Sequence, residues 1–112
     1  MDSQAIQSFL IRHRVNERTC IPKDDLSELN EIFSKRARIN LNFSKTNPLT
    51  AMETITIALA TVFEIPEIAS ITMSSPNTVK SAFVRARLKL NAHTLRASIS
   101  EAIRKGYIEL IN

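Results

Sequence analysis

Glycine occurs once in this 112-residue sequence, at Gly106, and proline four times. Glycine enters left-handed backbone conformations at the least steric cost, so it is the usual residue of sharp reversals. A many-stranded sandwich or barrel needs a turn signal roughly every 8–12 residues. One glycine and four prolines cannot supply them, which leaves helices as the default element. The length allows one compact core and little beyond it. With 44% apolar and 23% charged residues the composition is that of a globular domain, and general disorder is excluded.

Apolar residues recur at helical spacing along most of the chain. Segment 3–13 places Ile6, Phe9, Leu10 and His13 on one face, behind an Asp2/Ser3 cap. Residues 14–21 are polar and unpatterned and predict a loop. Pro22 suits a first helical turn, Asp24 and Asp25 suit its dipole, and Leu26, Leu29, Ile32 and Phe33 follow at 3/4 spacing. That helix ends in the basic turn Lys35-Arg36-Ala37-Arg38. Residues 39–48 predict a linker, in which the alternation of Ile39, Leu41 and Phe43 allows a short extended piece.

Thr50-Ala51-Met52-Glu53 is a capping box, in which each side chain closes a backbone N–H of the other residue. The helix it opens stacks Met52, Ile55, Leu59 and Val62. Its threonines and Ile57 weaken intrinsic propensity, so packing must hold it. Pro66 starts a short helix from Glu67 to about Thr72, Ser74-Ser75 breaks it, and Pro76 begins a longer one running to Leu90. At about 100° per residue with Val79 as zero, Phe83 falls near +40°, Ala86 near −20° and Leu90 near +20°, a tight inward stripe. Asn77, Lys80, Ser81, Val84 and Arg85 spread over the opposite side, with Thr78 and Lys89 toward one edge. Asn91 tolerates the left-handed conformation that ends helices. A last helix, from Thr94 to Lys105, carries Leu95, Ile99, Ala102 and Ile103 on one face and stops at Gly106. The expectation is an all-α protein: two short helices over residues 1–48, for dimerisation or partner contact, and a four-helix unit over residues 49–112.

Charge is segregated along the chain. Residues 1–48 carry a net +2, residues 49–75 carry −3, and residues 76–112 carry +5. Within 76–90, Lys80, Arg85, Arg87 and Lys89 occur with no acid between them. A concentrated basic stripe is the electrostatic footprint of nucleic-acid binding; a solvated helix face is the bland reading of the same residues. A short helix, a tight turn and a longer basic helix form a helix-turn-helix, and a major groove about 12 Å wide admits one such helix.

Five stretches resemble a known family: Leu49-Thr50-x-x-Glu53, Glu67-Ile68-Ala69, Ser75-Pro76-Asn77-Thr78-Val79-Lys80, Lys89-Leu90-Asn91-Ala92, and residues 97–102 followed by Gly106-Tyr107-Ile108. In this order they are similar to the LuxR-type (FixJ/NarL) C-terminal DNA-binding domain over about residues 49–110. Asn91 stands where that family usually has glycine, and Leu88 faces outward where the family often has a basic residue. The resemblance implies that the third helix of the unit reads DNA and the fourth mediates dimer contacts. It places Thr78, Lys80, Ser81 and Arg85 on the reading face, Lys89 on a phosphate, and Ile99 and Ala102 at a homodimer seam. Asn77 on the same outward side is expected to join the DNA-binding residues and Leu95 on the same stripe the seam, although Leu95 and Ile103 equally suit simple packing on the recognition helix. The 48 preceding residues are too few for a receiver or ligand-binding domain, and no phosphoacceptor site is recognisable.

Residues 79–90 also resemble the promoter-reading helix of sigma-factor region 4, and exposed Val84 and Leu88 would suit a small helical module that pairs with another transcription regulator or RNA polymerase. An enzyme is the weakest alternative. His13, Cys20 and His93 are too few and too scattered for a metal site, and one glycine excludes a glycine-rich phosphate loop. No catalytic residue, metal or cofactor is expected. One cysteine, no secretory signal and no apolar run of about 20 residues predict a cytoplasmic protein that does not enter membranes.

Overall fold

The computed structural model describes residues 4–13, 23–43 and 46–111. In chain order the elements are helices α1 (Gln4–Arg12) and α2 (Lys23–Ala37), strand β1 (Ile39–Leu41), helices α3 (Ala51–Leu59), α4 (Ile65–Ile71), α5 (Pro76–Lys89) and α6 (Leu95–Arg104), and strand β2 (Ile108–Leu110). The expected Asp2/Ser3 cap, the 14–21 loop and Pro22 lie outside the described residues.

Helix α3 is the centre of the molecule. Ala51 and Met52 are half-buried and every residue from Glu53 to Leu59 is buried, so past its first two residues no face of the helix meets water. Threonine is a poor helix former partly because its hydroxyl competes for backbone groups. Here that habit removes a burial penalty: Thr54 Oγ1 donates to the Thr50 carbonyl at 3.0 Å and Thr56 Oγ1 to the Met52 carbonyl at 2.7 Å. The threonines therefore pack as small apolar residues with their polar atoms satisfied within the helix. The Thr50–Glu53 capping box is formed in both directions, at 3.1 and 3.0 Å.

Around α3 pack α5, α6 and β1, and α4 packs on α5. Three of these helices end alike. Met73, Asn91 and Gly106 adopt φ of 54°, 54° and 78°. In each case the next residue's N–H reaches back to the fifth residue before it: Ser74 to Ala69, Ala92 to Arg87, and Tyr107 to Ala102, at 2.8–2.9 Å. This left-handed closure satisfies carbonyls that a helix end leaves orphaned.

The chain is mostly helical, compatible with the all-α expectation, and the extended piece allowed at residues 39–43 forms one strand of a small two-stranded antiparallel sheet. Ile39 pairs with Leu110, Asn40 with Glu109 and Leu41 with Ile108. After the left-handed turn at Gly106 the backbone runs extended, and its N–H and carbonyl groups need partners outside the segment itself. The alternating Ile39–Leu41 segment supplies them, burying Ile39, Leu41 and Ile108. Asn42 N–H extends the pairing to the Tyr107 carbonyl at 2.9 Å, and Ile111 N–H to that of Arg38 at 2.8 Å.

This sheet joins the two sides of the boundary expected at 48/49. Ile6, Phe9, Leu10, Leu29 and Phe33 belong to the same buried cluster as Ile55, Leu59, Ile68 and Ile108. Gln7 of α1 donates to the Ser70 carbonyl of α4 at 3.0 Å. Helices α1 and α2 and strand β1 therefore pack with the four-helix unit and share its core.

Candidate nucleic-acid interface

The α4–turn–α5 segment is built by local chemistry. Pro66 sits in the first turn of α4, where its missing N–H costs nothing. Thr72 closes the helix by donating to the Ile68 carbonyl at 2.8 Å, and its hydroxyl meets that of Ser74 at 2.8 Å. Met73 makes the reversal with a left-handed backbone. Ser75 then caps α5, accepting from Thr78 N–H at 3.1 Å, and Pro76 occupies the first helical turn.

Helix α5 turns Val79, Ala82, Phe83 and Ala86 inward, and buried Leu90 follows it. Outward lie Asn77, Thr78, Lys80, Ser81, Val84, Leu88 and Lys89, all exposed. Asn77, Lys80, Ser81, Val84 and Arg85 line a shallow, open groove along its outer side. This is a surface of amide, hydroxyl and ammonium groups around one valine, held rigidly by the buried stripe. Such groups donate and accept in the ways that base edges and phosphates require.

Arg85 and Lys89 are placed differently. The Glu53 carboxylate, with a side chain only 4% exposed, accepts from Lys89 Nζ at 2.7 Å and from Arg85 Nε at 3.2 Å. Burial opposes ionisation of Glu53. The hydrogen bonds from Lys89 and from Thr50 N–H, the Lys89 charge and the Arg85 hydrogen bond outweigh it and hold the carboxyl below the usual glutamate range. The two cations are 38% and 36% exposed, so each bridges interior and solvent. A hydrogen bond to a charged group contributes about 1.5–3 kcal/mol, so each of these contacts adds to the seam between α3 and α5. The capping box made one role of Glu53 visible in the sequence. Its second role needs the knowledge that the start of α3 lies beside the last turns of α5.

Of the residues expected at a dimer seam on α6, the structure leaves only some accessible. Ala102 is fully buried within the chain, as is Ser98, whose hydroxyl donates to the Thr94 carbonyl at 2.9 Å. These small residues allow α6 to approach α3 and α5, not a second copy. Leu95 and Ile99 are half-buried against the core, and Ile103 is exposed.

His13 closes α1 and stacks on Phe9, with ring centroids 4.3 Å apart. Its two nitrogens face Asp25 at 3.4 Å and Glu28 at 3.5 Å on α2, and Arg12 pairs with the same Glu28. This cluster ties the first two helices together on the periphery. Sequence spacing does not reveal it, because His13 and the two acids are brought together only by the packing of α1 on α2. Among the described residues no helix is long and apolar enough to cross a membrane.

Comparison of the chain with family models, curated proteins and solved structures gives no match.

Proposed function

We propose that this protein is a DNA-binding transcription regulator whose helix-turn-helix, α4 to α5, is of the LuxR type and enters the major groove with α5. The observation that carries the reading is the first half of α5. Asn77, Thr78, Lys80 and Ser81 project together into solvent from a helix anchored by four buried residues behind a capped turn. Lys80 supplies charge and a guanine-directed donor, while Asn77 supplies the paired donor and acceptor that match adenine. The reading gives the chain no catalytic role and no cofactor, and it places the protein in the cytoplasm. A two-fold dimer belongs to it, with Ile99 and Ile103 as the outward apolar residues of α6, because two half-sites raise affinity through effective concentration.

Fluorescence anisotropy with a labelled duplex tests the reading. The wild type should bind at low salt with a dissociation constant tighter than about 10⁻⁴ M, and log K should fall linearly with log salt. Asn77→Ala and Lys80→Ala should each weaken binding. No binding at low salt, or both variants binding like wild type, would overturn it.

One observation favours a second reading, a surface that pairs with another regulator. Val84 and Leu88, 47% and 67% exposed, stand one turn apart on the outer side of α5. Sedimentation of Leu88→Asp separates the two. Loss of an assembled species supports the protein contact; an unchanged mass with weaker duplex binding supports the DNA reading.

A further inference from the structure

The four cations of α5 do not form one stripe. Laid at about 100° per residue, Lys80 and Arg87 fall on one flank of the helix and Arg85 and Lys89 on the other. Asn77, Ser81 and Leu88 lie between the flanks. The Arg85/Lys89 flank faces the start of α3, where Glu53 takes a contact from each cation on a different carboxylate oxygen. The same Oε1 that receives Lys89 also accepts the Thr50 N–H. The carboxylate is thus fixed by its own helix cap and cannot follow the lysine outward.

We propose that Glu53 is an internal counter-anion that withholds Arg85 and Lys89 from DNA, so that recognition is confined to the first half of α5 and to the Lys80/Arg87 flank. The inference rests on the DNA-binding reading and makes Glu53 a specificity-determining position that touches no nucleic acid. A phosphate approaching Lys89 competes with a buried carboxylate already 2.7 Å away. An ammonium that leaves Glu53 gives up its contact with a nearly buried carboxylate, which then keeps Arg85 as its remaining cation. Each flank therefore has its own function: one carries charge to the phosphates, and the other closes the α3–α5 seam.

The test is the salt dependence of duplex binding in Glu53→Gln, Lys89→Gln, the Arg85→Gln/Lys89→Gln double variant and the triple variant that adds Glu53→Gln to it. Glutamine keeps the cap, since it can accept the Thr50 N–H as glutamate does. Releasing two cations should steepen the log–log slope by about 0.9 per phosphate newly met, up to about 1.8. Lys89→Gln in the native background should leave the slope unchanged. The Glu53→Gln increment should vanish when Arg85 and Lys89 are also glutamine. A slope lowered by about 0.9 in Lys89→Gln alone would overturn the proposal, because Lys89 would then be spent on a phosphate. If Glu53→Gln does not fold, that single-variant measurement decides the matter.

Failure of the DNA reading itself is recognised separately, by a wild type that binds no duplex at low salt. Retention on a sulfonate resin then still reads the masking. Glu53→Gln should elute at higher salt than Glu109→Gln, which neutralises an exposed acid on β2, and equal retention would overturn the masking.

Discussion

Helices α3 and α5 lie against each other and are built on opposite terms. Helix α3 is rich in threonine and isoleucine, has weak intrinsic propensity, and past its first two residues is enclosed on every side. Helix α5 has a capped start, a proline in its first turn and one buried stripe, and gives the rest of its surface to solvent. The first is held in place by its neighbours. The second is held by its own cap and a four-residue anchor, which leaves its outer side free to vary. Burial is therefore concentrated in α3, the proposed recognition surface lies on α5, and Glu53 of α3 contacts both helices.

The largest expected effect attacks the enclosed helix. Ile55 is fully buried, so Ile55→Ala removes three carbons where no side can collapse freely, and should destabilise the fold by about 2–5 kcal/mol. Val84→Ala, on the open side of α5, should change stability by less than about 0.5 kcal/mol. Urea denaturation of the pair checks the contrast. Equal losses would mean that the outer side of α5 is covered by something in solution.

A pH series sharpens the comparison at its seam. The folded pKa of Glu53 is lowered, so its contribution is fully present above the ordinary glutamate range and is lost as pH falls through the lowered value. The stability gap between wild type and Glu53→Gln should accordingly be constant near neutrality and shrink on acidification. A gap that widened with acid would mean that burial, and not Arg85 and Lys89, dominates the carboxyl. A smaller loss, about 1 kcal/mol, is expected for Thr50→Ala, which removes the cap of α3 and leaves its packing intact.

Much of this architecture is legible in the sequence because it rests on local chemistry. Thr50 and Ser75 act as caps, Asn91 and Gly106 take left-handed conformations, and Val79, Phe83, Ala86 and Leu90 face inward. Each depends on residues within one or two turns. Met73 is not legible in this way, because methionine carries no signal for a positive φ; the Thr72–Ser74 contact and the fifth-residue bond to Ala69 hold it there. The β1–β2 pairing and the Glu53 bridge to Lys89 span far longer separations, which periodicity cannot see. Ala102 shows the same limit in another form. An apolar stripe reveals that a face is covered, but not whether its own chain or a second copy covers it.

The smallest effect on the fold is expected at Lys80, where the comparison is cleanest. Lys80 is exposed on α5 and enters no ion pair among the described residues, unlike Lys89 nine positions on. Lys80→Ala should shift the urea midpoint negligibly, since exposed positions away from caps and networks usually change stability by less than about 0.5 kcal/mol. Lys89→Ala should be measurably less stable, because it leaves Glu53 with Arg85 alone. In duplex binding the order reverses. A lysine reading guanine discriminates by about 1–3 kcal/mol, so Lys80→Ala should lose roughly 5- to 150-fold on a preferred site and less on non-specific DNA. Two lysines on one helix would thus separate recognition from stability. If Lys89→Ala lost affinity with no loss of stability, the cation would be serving DNA and not Glu53, and the division between the two helices would fall with it.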